Sequence, residues 1–273
     1  MSYRFYLLMA ACGLFCATTA NAQRRYYRDL IIIPEVQAEW ALKGNDYLVT
    51  SFNLRSLTGP ASPGGTFAGA QLFVGYEHWL SEKWSWGPTL RLQGGDLIGF
   101  AGEGLGLAGE ITAGALLRHT GTIGSFRFSQ RLGVEYSAPL DQYVEDRALA
   151  RLRLEVDPQF PLTENMALRP RIAYEAAVYV RLQRDETDLK ERVIDFGTLR
   201  GEIGWRVSPR FDLTPWLTSQ AIYYNALPQY DPNGVEVSGG RSNLVGPVAG
   251  LDVRFTFLGK NDSPDRRQLP TQH

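Results

Sequence analysis

From Met166 to Val180 every second residue is apolar: Met166, Leu168, Pro170, Ile172, Tyr174, Ala176, Val178 and Val180. The charged residues of the stretch, Arg169, Arg171 and Glu175, all stand between them. A period of two held this long is the signature of a β-strand with one greasy and one wet face. The same alternation runs through Trp84–Gln93, Phe126–Tyr136 and Ala148–Asp157. Eleven such segments can be marked, starting near residues 32, 47, 66, 84, 106, 123, 148, 166, 197, 211 and 243. Most approach the roughly 9–11 residues that a tilted strand needs to cross a bilayer, against about five or six in an ordinary globular strand. The expected fold is therefore all-β: a transmembrane antiparallel up-and-down barrel of about 10–12 strands. Twelve is preferred because bacterial barrels have even strand numbers, residues 24–31 then supplying a short extra strand.

Connections alternate in length. Lys43–Asp46, Leu80–Lys83, His119–Thr122, Pro161–Asn165 and Val207–Arg210 read as short turns. Ser56–Gly65, Gly94–Leu105, Ser137–Arg147, Arg184–Arg192 and Leu227–Ser242 read as longer polar loops. Short turns at one end and long loops at the other are expected of an outer-membrane barrel, the short end being periplasmic. Trp40, Trp79, Trp84, Trp86, Phe126, Trp205 and Phe211 all fall close to short turns, as an aromatic girdle at the membrane–water boundary would.

The first 22 residues read differently. Arg4 precedes an apolar stretch from Phe5 to Thr18, and Ala20-Asn-Ala22 supplies a small-x-small cleavage pattern. This predicts a signal peptide cleaved after Ala22, with lipidation of Cys12 as the rival reading. Cys12 and Cys16 are the only cysteines, so the mature chain is expected to carry no thiol chemistry. Residues 23–258 form the expected barrel and 259–273 a polar, disordered periplasmic tail. The expected location is the outer membrane of a Gram-negative bacterium. Expected partners are outer-membrane lipid and the barrel-assembly machinery, to which Gly250–Phe257 offers an alternating terminal strand. A net charge of −1 gives no electrostatic case for nucleic acid.

The wet parity carries the most informative pattern. It holds Glu77, Arg91, Glu110, Arg118, Arg127, Arg131, Glu135, Arg151, Arg153, Glu155, Asp157, Arg169, Arg171, Glu175, Arg181, Arg200, Glu202, Arg206, Asp252 and Arg254. All four lysines, Lys43, Lys83, Lys190 and Lys260, lie instead in turns, loops or tail. Guanidinium pairs with carboxylates in confined space better than ammonium does, so these residues are expected to line the barrel lumen. They form either a packed lattice of ion pairs or the wall of a water-filled path. Near balance of sign favours the lattice, because selective pores display rings of one sign.

Other motifs carry less. Gly104-Leu-Gly-Leu-Ala-Gly109 matches a dinucleotide-binding pattern but precedes an alternating strand rather than a helix. Asp185-Glu-Thr-Asp188 lacks the glycine-punctuated spacing of a calcium loop. His78 and His119 sit beside short turns, remote from the outer-leaflet lipid that a lipid-modifying enzyme would attack. No catalytic residue, cofactor or metal is therefore expected.

Arg127-Phe-Ser-Gln-Arg-Leu-Gly-Val-Glu-Tyr136, with Arg151-Leu-Arg-Leu-Glu-Val-Asp-Pro-Gln-Phe-Pro-Leu162, resembles a family of small bacterial outer-membrane β-barrels of unknown function. Ile172-Ala-Tyr-Glu175 and Arg200-Gly-Glu-Ile-Gly-Trp205 fit the same scheme. The resemblance spans roughly residues 30 to 257 and implies a barrel with no established active site. The expected function is structural or channel-like, in concrete form passive diffusion of small polar solutes. A lipid-modifying enzyme and a docking scaffold built on Leu227–Ser242 are the alternatives.

Overall fold

The computed structural model describes residues 24–59, 62–95, 109–123, 126–140, 146–158, 160–163, 166–180, 193–234 and 236–259. The expected leader (residues 1–22), Gly104–Ala108, Asp185–Asp188, Arg181 and nearly all of the tail lie outside them. The strands are β1 (Arg24–Tyr27), β2 (Leu30–Ala41), β3 (Tyr47–Gly59), β4 (Ser62–Trp79), β5 (Trp84–Gly94), β6 (Gly109–Ile123) and β7 (Phe126–Pro139). They continue as β8 (Arg147–Pro158), β9 (Phe160–Pro161), β10 (Ala167–Tyr179), β11 (Phe196–Ser208), β12 (Phe211–Tyr230) and β13 (Glu236–Phe257).

β2 to β8 and β10 to β13 pair in sequence order, antiparallel, and β13 returns to β2 to close a barrel of eleven strands. An odd count makes the first and last strands run the same way. Their closing ladder, Val248↔Ile31 through Phe257↔Trp40, is accordingly parallel. The even number preferred from sequence fails at residues 24–31. β1 pairs with the same edge of β13, Arg24↔Ser242 through Tyr27↔Val245, so it prolongs β2 upward and is no extra stave. Five residues on this side, Tyr27 to Ile31, face four on β13, Val245 to Val248, which makes Arg28–Asp29 a bulge. β9 is a two-residue pairing with the foot of β10.

Several expected connections prove to be strand. His119–Thr122 lies inside β6, whose ladder with β7 runs to Ile123↔Phe126. Most of Ser56–Gly65 belongs to β3 and β4. Leu227–Ser242 is largely the tip of the β12–β13 hairpin, still paired at Gln229↔Ser238 and Tyr230↔Glu236. The β11 ladder reaches only to Ile222, so among the described strands this hairpin extends beyond β11. Polar composition at 227–242 gives no sign of that pairing, because a ladder clear of the apolar belt needs no greasy face.

The two faces are inverted relative to a soluble protein. On β7 the outward Phe126, Leu132, Val134 and Tyr136 are about half exposed. On β10 exposed Ile172 and Tyr174 alternate with buried Arg169, Arg171 and Ala173. The outer surface carries a belt of exposed Leu, Val, Ile and aromatic side chains, while charge and amide groups are buried inside. Soluble monomers rarely expose apolar patches beyond a few hundred Å².

Candidate functional site

The barrel interior divides into a packed half at the short-turn end and a basin at the long-loop end. Alternation on each strand aims one parity inward, and the register sets which inward groups meet. Nearest the short turns, Arg254 donates to Glu39 at 3.0 Å and lies 3.2 Å from Asp212. Arg118 donates to Glu77 at 2.8 Å, and Ser85 donates to the same carboxylate. Arg171 binds Glu155 at 3.1 Å, Asp157 at 3.7 Å and Glu202. Arg153 also holds Glu155 at 3.1 Å, and Arg127 approaches Asp157 at 3.9 Å. Arg200 reaches Glu202 at 2.6 Å and Asp252 at 3.0 Å. Its guanidinium lies 4.0 Å over the Trp216 ring, whose indole N–H donates to Asp252 at 2.6 Å. Arg169 is buried and Arg206 half-buried in the field of Asp212 and Arg254.

Apart from Arg127 and Arg206, which are partly exposed, these groups are sealed from water. Glu39 and Ser85 are 0 % exposed, Gln37, Val49 and Arg118 1 %, and Glu77, Asp212 and Asp252 2 %. A path wide enough for water would leave inward faces accessible at this level, and they are not. Tyr47, Val49 and Phe73 form an apolar plug beside the lattice.

Above it, a cavity of about 420 Å³ is walled by the upper halves of the strands. A second chain of charge lies in its wall: Arg91 to Glu135 (3.0 Å), Glu135 to Arg151 (3.0 Å), Arg151 to Glu175 (3.0 Å) and Glu175 to Arg131 (3.1 Å). Glu110 accepts from Thr112, and Glu35 from Gln37 and Asn53.

Sequence reasoning missed Arg28, Glu35, Glu39, Arg55 and Asp212. The signal was present in Glu35-Val-Gln-Ala-Glu39 and in Phe211-Asp-Leu-Thr, where period two puts the acids on the wet parity. Trp216 shares that parity and is buried at the Arg200–Asp252 contact.

Trp40, Trp84, Trp86, Phe126 and Trp205 are exposed on the outer face near the short turns. Trp40 stacks on Phe257 across the closing seam at 5.5 Å, and Phe211 lies against Phe255 at 5.4 Å. Trp79 departs from this group. It packs against the interior Tyr47–Val49–Phe73 cluster, because its place on β4 falls on the inward parity with Glu77.

The two histidines near the short turns have local partners. His119 packs on Trp84, ring centroids 4.7 Å apart. His78 Nδ1 lies 2.9 Å from Asp46 Oδ2, which also accepts from the Tyr76 hydroxyl at 2.7 Å. Asp46 sits in the β2–β3 turn. Partial burial works to raise its pKa, but the hydrogen bonds from His78, Tyr76 and the Trp79 amide outweigh it and hold the carboxyl below its ordinary value. A depressed folded pKa means that the contribution is complete above the unfolded aspartate value near 4 and is lost as pH falls through the folded one. Wild type should therefore resist unfolding better than Asp46→Asn above pH about 5, the two curves converging in acid. Tryptophan-fluorescence unfolding across that range checks this, and a gap that stays constant down to pH about 2 contradicts it.

No family model matches the chain, and no curated protein matches it. Among solved structures it is similar to one described as a NanC porin in a rhombohedral crystal form, at 12% identity and a TM-score of 0.34, over 82% of this chain and 98% of that one.

Proposed function

We propose that this chain is an outer-membrane β-barrel of channel-like build that rests closed. Its long-loop half holds a basin open to the cell exterior, and its periplasmic half is stoppered by the ion lattice. The apolar outer belt and the closed strand ladder support insertion in lipid, since a bilayer tolerates no unpaired strand edge. Met1–Ala22 supports export, and the Gly250–Phe257 strand supports handling by the barrel-assembly machinery. Short turns at the stoppered end orient that end toward the periplasm.

One observation carries the reading: the inward side chains that span the lower barrel are buried, Glu39, Arg118 and Asp252 at 0–2 % and Glu155, Arg171 and Arg254 at 4–5 % exposed. Passive diffusion of small polar solutes would require that lattice to part. The purified barrel in planar bilayers is expected to give no discrete conductance steps at rest. Steady openings from the wild-type protein would overturn the closed reading.

A further inference from the structure

The basin is unequally charged, and its surplus points to a ligand. Eight arginines line it against four glutamates, Glu35, Glu110, Glu135 and Glu175, and two of the eight, Arg153 and Arg200, pair with carboxylates of the lattice below, leaving six against four. All four carboxylates are engaged. Glu135 lies between Arg91 and Arg151, and Glu175 between Arg151 and Arg131. Glu35 takes donors from Gln37 and Asn53, and Glu110 from Thr112. An entering cation would have to compete with these donors.

Three of the arginines are in the opposite condition. Arg28, Arg55 and Arg147 have no carboxylate partner among the described residues. Arg28 gives one N–H to the Gln220 amide oxygen, and Arg55 one to that of Gln71. The Nε of each is buried with no hydrogen-bond partner. Arg147 stands at the rim, its guanidinium 5.3 Å over the Tyr179 ring. A guanidinium carries five N–H donors in a planar fork, so most of the donor capacity of Arg28 and Arg55 is unspent. Charge-assisted pairing to a carboxylate or phosphate is the strongest use of such a fork. The floor of the barrel is nearer balance, since Glu39, Glu77, Glu155, Asp157, Glu202, Asp212 and Asp252 face its arginines, though the Nε of Arg206 there is also buried with no hydrogen-bond partner.

We infer that the basin is a binding site for a small organic anion bearing carboxylate or phosphate groups, gripped by Arg28 and Arg55 and guided in by Arg147. The volume of about 420 Å³ lies within the range of small-ligand sites, roughly 300–1,000 Å³. Arg28 owes its inward place to the β1–β2 bulge, which gives that irregularity a purpose.

The inference rests on the basin-and-stopper reading, and calorimetry on the full refolded barrel separates the two. Citrate and inorganic phosphate are the probes, sucrose the neutral control. Citrate is expected to bind and sucrose to give no heat. Wild-type citrate affinity should weaken steadily as salt rises from about 50 mM to about 0.5 M. Arg28→Gln and Arg55→Gln should each weaken citrate binding at least about tenfold, and Arg147→Gln mainly slow its association. Heat-modifiable gel migration reports whether each variant is folded. Should either inner variant not fold, the wild-type salt series and Arg147→Gln decide. Citrate bound no more tightly than sucrose, salt-independent binding, or folded glutamine variants that bind as wild type would each overturn the site. A barrel that conducts yet binds citrate through Arg28 and Arg55 would remove the stopper and leave the anion site standing.

Discussion

Arg254→Ala is expected to cost the barrel about 3–5 kcal/mol, because it strands two buried carboxylates at once. Arg254 is 5 % exposed and holds Glu39, at 0 %, and Asp212, at 2 %. Removing its guanidinium takes the nearest cation from both acids in a low-dielectric interior, leaving Glu39 the weaker Thr256 hydroxyl bond and Asp212 the less direct field of Arg169 and Arg206. The effect should appear as a large drop in the urea midpoint of the refolded barrel, followed by tryptophan fluorescence. The desolvation argument makes a second demand. Replacing all three groups together, as Glu39→Leu, Asp212→Leu and Arg254→Met, should recover most of the loss, since an apolar cluster there needs no partner. A loss below about 1 kcal/mol for Arg254→Ala would mean that water already reaches Glu39 and Asp212.

The second large effect is on conductance. Arg171 and Arg200 together hold Glu155, Asp157, Glu202 and Asp252 across the middle of the stopper. The Arg171→Ala, Arg200→Ala double variant removes the bulk that fills this level and the charge that balances it. The barrel, silent as wild type, should then show discrete openings. Glu202 and Asp252 would lose these two arginines while Glu155 and Asp157 keep Arg153 and Arg127, so the new path gains net negative charge and the openings should be cation-selective, read as the sign of the reversal potential in a potassium chloride gradient. A folded double variant that stays silent, or one that selects anions, contradicts this assignment of the stopper.

Period two makes the two faces of the barrel wall legible in the amino-acid sequence itself. Phe126-Arg-Phe-Ser-Gln-Arg-Leu-Gly-Val-Glu-Tyr136 sorts into outward rings and inward charges with no further information, because strand geometry leaves side chains two directions only. Partners are not legible in this way. Glu39 and Arg254 meet 215 positions apart through the closing seam, and which residues meet there depends on the stagger of the whole ladder. The strand count goes astray at Arg28–Asp29 for a related reason: a bulge adds a residue without breaking the alternation on either side. Trp79 misleads because nearness to a turn says nothing about parity, whereas its spacing from Glu77 does. The division of the lumen by height is also hidden. Near balance of sign along the chain averages a nearly balanced floor with an arginine-rich basin, and only the fold separates them.

The most direct measurement of a basin closed from below is thiol labelling at two heights on one strand. Gln93 and Ser85 both face inward on β5, the first lining the basin and the second 0 % exposed beside Glu77. Cys12 and Cys16 lie in the leader predicted to be removed, so Gln93→Cys and Ser85→Cys would each present a single thiol. With a membrane-impermeant maleimide added to intact cells, Gln93→Cys is expected to label readily and Ser85→Cys on the order of a hundredfold more slowly. Equal labelling at the two positions would contradict the stopper.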